Sequence, residues 1–144
     1  MSRDYYAFDG ATKESIHRTV PMPPQWDRGT VKAKVKWSPG DSACTAGDTV
    51  EWEVALGAVG DDDALDRALG TAQVISDTVL AGKNGDLHIS GATPAITVGG
   101  SPAVGDDIDI KISRNVSGTD DMTEDGWFWK VVLEVKLTNT ITPW

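Results

Sequence analysis

The groups best able to do chemistry in this chain are carboxylates, and they come in clusters: Asp61-Asp62-Asp63, Asp106-Asp107, and Asp120-Asp121 followed by Glu124-Asp125. Calcium takes roughly six to eight oxygen ligands, so carboxylates gathered in loops offer it a site. None of these clusters has the D-x-[DN]-x-[DN]-G spacing of an EF-hand loop, and acids at element ends are ordinarily just solvated. A pair of carboxylates can also hydrolyse glycosides, provided a cleft holds one of them in apolar surroundings. Glu51 and Glu53 alternate with Val50, Trp52 and Val54. That places both on the wet face of a strand, where nothing would raise a carboxyl pKa.

Other reactive groups are sparse. His17 and His88 are the only histidines, far apart on strand-like segments, and Cys44 is the single cysteine. An internal disulfide is therefore excluded, and Cys44 reads as a tolerated thiol of a reducing compartment. There is no G-x-S-x-G elbow, no G-x-x-x-x-G-K-[ST] loop and no G-x-G-x-x-G motif. Asn115-Val116-Ser117 has the form of a glycosylation sequon, read as a chance match because MSRDYYAFDG lacks the apolar core of a signal peptide. The expectation is a protein that is not an enzyme and takes no cofactor and no metal.

Six tryptophans remain. Trp37, Trp52 and Trp129 share the phase of the apolar positions around them, which assigns them to a core. Trp26 and Trp127, in a loop and at a strand start, are the candidates for a ligand or partner surface, since tryptophan is enriched where proteins touch. The formal charge is −9, from 22 acidic and 13 basic residues, the wrong sign for gripping phosphates. No apolar run approaches the ~18 residues of a membrane span. The chain is expected to be soluble, with no nucleic-acid partner and no membrane insertion.

The elements that must position these groups are strands. Val31-Lys32-Ala33-Lys34-Val35-Lys36-Trp37, Val50-Glu51-Trp52-Glu53-Val54 and Ile108-Asp109-Ile110-Lys111-Ile112 alternate apolar and charged residues, so each buries one face. The first carries only lysine on its wet face and the second only glutamate. Pairing them would set Lys32, Lys34 and Lys36 against Glu51 and Glu53, at roughly 0.2–1 kcal/mol per cross-strand pair. Candidate strands run over 14–20, 30–38, 49–57, 71–80, 86–91, 95–99, 106–114 and 127–139, punctuated by 15 glycines and 7 prolines. Residues 60–70 are the only helix-like piece, with acids at the start and Gly70 at the end.

A chain of 144 residues suits one domain. Residues 1–13 read as an N-terminal arm, or as a first strand packing its own aromatics, and 14–144 as a single sandwich domain. The pattern is that of an all-β, antiparallel eight-stranded β-sandwich, jelly-roll-like, with one short connector helix. Two segments carry apolar residues on both strand phases: Val74 and Leu80 against Ile75 and Val79, and Phe128 and Val132 beside the main row of the last strand. This surplus suggests a subunit interface at Ile75, Val79, Phe128 and Val132.

Asp4-Tyr5-Tyr6-Ala7-Phe8-Asp9-Gly10, then Met22-Pro23-Pro24-Gln25-Trp26-Asp27-Arg28-Gly29-Thr30-Val31, Trp52, the stretch 56–73, Asp86-Leu87-His88-Ile89 and the closing strand 129–138 follow in an order that resembles small virion proteins of tailed bacteriophages and prophages. The chain departs from that pattern at 39–47 and 119–125, where virus-specific contacts would fall. The resemblance implies jelly-roll modules that form homotrimers on the virion, as capsid decoration proteins or as fibre and receptor-binding tips. It implies the major capsid protein or another virion protein as partner, and a place on the capsid exterior after synthesis in the host cytoplasm. The lack of a long shaft favours decoration; the alternative is a receptor- or glycan-binding knob with a host-surface glycan as partner. On the decoration reading the two ends anchor the protein, through Tyr5, Tyr6, Phe8 and Trp144.

Overall fold

Period-two alternation produces strands throughout the computed structural model, which describes residues 5–40 and 44–138. The strands are β1 (Tyr6–Phe8), β2 (Ser15–Pro21), β3 (Lys32–Ser38), β4 (Thr49–Val59), β5 (Gln73–Thr78), β6 (His88–Ile89), β7 (Asp107–Arg114) and β8 (Gly126–Glu134). They form two four-stranded antiparallel sheets, in the orders β1-β8-β3-β6 and β2-β7-β4-β5. First pairs with last throughout: β1 with β8, β2 with β7, β3 with β6 and β4 with β5. The chain is thus one long hairpin folded over into two layers.

The inward rows of β3, β4 and β7 meet in a single core that includes Val35, Trp37, Trp52, Val54, Leu56 and Ile112, all fully buried. Each such side chain contributes about 1.5–3 kcal/mol relative to exposure. The centre is aromatic: Phe8 and Trp37 meet Trp52 edge-on, with ring centroids 5.4 and 6.0 Å away. Trp37 Nε1–H donates to the Asp77 carboxylate at 2.8 Å, so its polar atom is satisfied inside.

The lysine-faced and glutamate-faced strands do not pair. β3 and β4 lie in different sheets because each buries its apolar row against the other, and strands that share a core across a sandwich cannot share a ladder. Lys34 instead meets Glu134 of β8 at 3.0 Å and Glu53 takes Lys13 at 2.6 Å. Glu51 is not on a wet face at all; it is buried under the loop 115–119.

Among the described residues no helix forms, and 60–70 is an irregular loop. Two turns cannot offset the cost of helix nucleation without an apolar stripe to bury, and Leu65 here is exposed while Leu69 covers Gly57. Asp63 accepts the Gly60 N–H at 2.8 Å and ion-pairs Arg67. Gly70 N–H then donates to the Leu56 carbonyl at 2.9 Å, extending the β4 edge beyond β5. Gly70 therefore serves close approach and not helix termination: a methyl there would overlap the Thr97 carbonyl, and one on Gly99 would lie 2.7 Å from the Gly70 nitrogen.

The expected strand 95–99 is reduced to the bridges Val31–Ile96 and Gly57–Gly99. The N-terminal arm is a strand from Tyr6 onward, with β1 paired to Gly126–Phe128 and Phe8 fully buried. The largest departure is Trp129. Between β3 and β8, Lys36 faces Lys130 but Trp37 faces Phe128, so Trp129 is an extra residue. A bulge of this kind reverses the phase of what precedes it. Phe128 enters the core, 1% exposed, and Trp129 leaves it, 45% exposed.

Candidate functional site

The loop after β7 is organised by a buried cation. Arg114 is fully buried, and Asp120 grips it bidentately, with Nε to Oδ2 and Nη2 to Oδ1 both at 2.8 Å. Its other N–H groups donate to the carbonyls of Phe8, Glu124 and Met122. A guanidinium out of water needs this many acceptors, because an unpaired buried charge is costly. Asp120 also accepts the Glu51 N–H at 3.1 Å, and Asp121 accepts that of Thr49 at 2.6 Å.

Glu51 is held as firmly. Asn115 Nδ2 donates to one oxygen at 2.5 Å, and the Thr119 N–H and hydroxyl donate to the other at 3.1 and 2.7 Å. Burial pushes its carboxyl pKa up, but the hydrogen bonds from Thr119, Asn115 and Ser76 together outweigh that and hold it below the usual value. These carboxylates face an arginine and backbone N–H groups. Among the described residues no three His, Cys, Asp or Glu side chains converge to hold a metal.

The outer face of the β2-β7-β4-β5 sheet is polar. His17 Nδ1 lies 3.0 Å from Asp109 Oδ1, and the hydroxyls of Ser15 and Ser113 bond each other at 2.7 Å. Serine, imidazole and carboxylate share this face, and Ser113 is buried at the floor of a recess that His17 also lines, but its hydroxyl is engaged with that of Ser15 and His17 with Asp109. Cys44 Sγ–H donates to the Pro39 carbonyl at 2.9 Å. Burial, then the negative charges of Glu124 and Asp48, push that thiol up, away from the reactive thiolate.

The other sheet carries an aromatic recess of about 550 Å³ on its outer side, lined by Tyr5, Ser38, Leu87, Trp127 and Trp129. Tyr5 stacks on Trp127 with centroids 4.4 Å apart and planes 15° from parallel. Trp127 in turn backs onto Gly40, where a Cβ would come within 2.9 Å of the indole. Lys130 Nζ sits 4.2 Å above the Trp129 ring. Ile89, opposite Lys36, and Val132, opposite Lys34, lie exposed on the same face among its lysines. Half-exposed flat rings with few polar neighbours suit an apolar side chain or a ring from a partner.

Of the residues singled out in the sequence, Tyr5 and Trp127 come together here, Tyr6 sits partly exposed on the β1 edge, and Val132 is exposed further along β8, opposite Lys34. Trp26 is not a surface residue. It is 3% exposed, bridged to Leu137, with an unpartnered Nε1. Phe8, Val79 and Phe128 lie in the core, and Ile75 packs half-buried against it. The outward phase around β5 belongs to Val74 and Leu80 instead. Trp144 lies outside the described residues. Trp129 and Leu87 were missed as surface groups, the first because of the bulge. Arg114 was missed too, although a lone arginine closing an Ile-x-Ile-x-Ile strand before an acidic loop was a readable signal. No protein-family model, no curated protein and no solved structure matches the chain.

Proposed function

We propose that the chain is a structural protein of a tailed-phage virion: a jelly-roll module displayed on the capsid exterior as a homotrimer, decorating and stabilising the shell. First-to-last pairing of the eight strands is the pairing a jelly roll requires, and it supports that part of the reading. The observation that carries the reading is the cluster of half-exposed rings of Tyr5, Trp127 and Trp129, with Leu87, on one outer face. An exposed aromatic cluster rimmed by polar groups marks a protein contact. The hydrogen-bonded loop at Arg114 and the unactivated serines suit a scaffold.

Particles of a phage encoding the chain are expected to carry it in fixed stoichiometry, open to antibody without disruption. Trp129→Ala is expected to lower occupancy by about tenfold or more, as loss of an aromatic anchor does. Absence from washed particles, or antibody access only after disruption, refutes the placement. The aromatic recess also favours a second reading, a receptor- or glycan-binding knob, since exposed rings stack on sugars. Glycan-array binding abolished by Trp129→Ala establishes it over decoration.

A further inference from the structure

β1 covers only Gly126–Phe128 of β8. Beyond it, residues 130–134 pair with β3 on one side and have no neighbouring strand on the other among the described residues. The gap beside this edge is a groove of about 430 Å³ running to β2, with Val20, Met22, Val131, Leu133 and Val135 among its lining residues. These residues are only partly buried. An open edge next to an apolar groove is a template for an added strand.

The edge is complementary to itself. Lys130, Val132 and Glu134 point outward and Val131 and Leu133 inward. An antiparallel pairing about a two-fold axis keeps outward residues opposite outward ones. Centred on Val132, it sets Lys130 opposite the partner's Glu134, and Glu134 opposite the partner's Lys130. The inward Val131 and Leu133 of the added strand would then enter the groove beside Val20 and Met22. Residues 130–134 fit within the open stretch, between the end of β1's cover and the end of β8.

We propose that two copies of this chain join edge to edge through residues 130–134 of β8, antiparallel about a two-fold axis at Val132, with reciprocal Lys130–Glu134 pairs. The contact stands without the virion reading; given that reading, it links neighbouring trimers across the shell. Light scattering on the full chain tests it. Wild type is expected to have an even-copy mass, two, or six where three-fold contacts also form. K130E and E134K, which place like charges opposite each other, are each expected to raise the dissociation constant by about tenfold or more and halve the mass. K130E/E134K restores the pairs and is expected to restore the mass. A monomer at all concentrations overturns the proposal and leaves the edge to residues 1–4 or to another partner. A three-copy mass unchanged by K130E, or a double variant that fails to recover, overturns it too. The three-copy result leaves the proposed trimer standing; a two-copy mass restored by the double variant, in a protein absent from particles, does the reverse. Urea unfolding of each variant confirms that it is folded.

Discussion

Asp120→Ala takes both carboxylate oxygens from Arg114 and removes the acceptor of the Glu51 N–H. Arg114 keeps the carbonyls of Phe8, Met122 and Glu124 but loses its counter-charge while fully buried. Breaking a buried ion pair from one side costs about 3–5 kcal/mol, and the orphaned N–H adds about 1–3 kcal/mol. A domain of this size holds about 5–15 kcal/mol in total, so the variant should lose about a quarter of its stability or more. At about 2–4 °C per kcal/mol, Tm should fall by about 10 °C or more. Urea unfolding followed by tryptophan fluorescence measures the loss, because Trp52 and Trp37 lie in the same core. Removing both charges, with Arg114→Met and Asp120→Leu, is expected to cost less than the two single losses combined, by about 1–3 kcal/mol. A cost below about 1 kcal/mol for Asp120→Ala, or strict additivity in the double variant, refutes the buried pair as the element that closes this loop.

Two further predictions concern the same sheet. The folded pKa of Glu51 is depressed, so its carboxylate stabilises the fold above the unfolded value of about 4.3 and that contribution is lost as pH falls through the folded value. The advantage of wild type over Glu51→Gln should be complete at neutral pH and vanish on acidification; an advantage unchanged across that range refutes the hydrogen-bonded carboxylate. Gly99→Ala forces a methyl against the Gly70 nitrogen and the Ala68 carbonyl, and is expected to cost about 1–3 kcal/mol in urea unfolding. A cost within the noise of a surface substitution means that the two backbones do not touch there.

Alternation made β3, β4 and β7 legible, because a residue in a half-buried strand reports its own face. It could not say which strands are neighbours. Lys34 and Glu53 look like partners in the sequence, but their strands pack across the core, and the true partners Glu134 and Lys13 lie far from the apparent match. Glu51 defeated the rule differently. Its alternation says wet, but a loop about 65 residues downstream folds over it and supplies the donors. The loop 60–70 carried helix-terminus chemistry without a stripe to bury, so contacts made by Arg67, Leu69 and Gly70 decided its shape. At the candidate surface, Trp127 was legible from its place at a strand start and Val132 as a residue outside the main apolar row, whereas Phe128 and Val79 were assigned to the wrong face.

The bulge at Trp129 links what was hidden to what is exposed. Opposite β8 the core is already filled by an indole: Trp52 lies 6.2 Å from Phe128, and a Cβ on Gly126 would sit 3.4 Å from it. Without the extra residue, the phase set by Val131 and Leu133 would drive Trp127 and Trp129 inward against Trp52, where a glycine and a phenylalanine now fit. Inserting one residue puts the two smaller groups inside and both indoles outside. The cost is a local break in the ladder and a half-exposed tryptophan. The gain is an aromatic platform with Tyr5, immediately before the stretch of β8 that β1 leaves uncovered. One packing constraint inside the sandwich therefore places the recess and the open edge side by side. That is why the exposed rings and the open edge lie on the strand whose alternation is least regular, and not on the lysine-faced strand beside it.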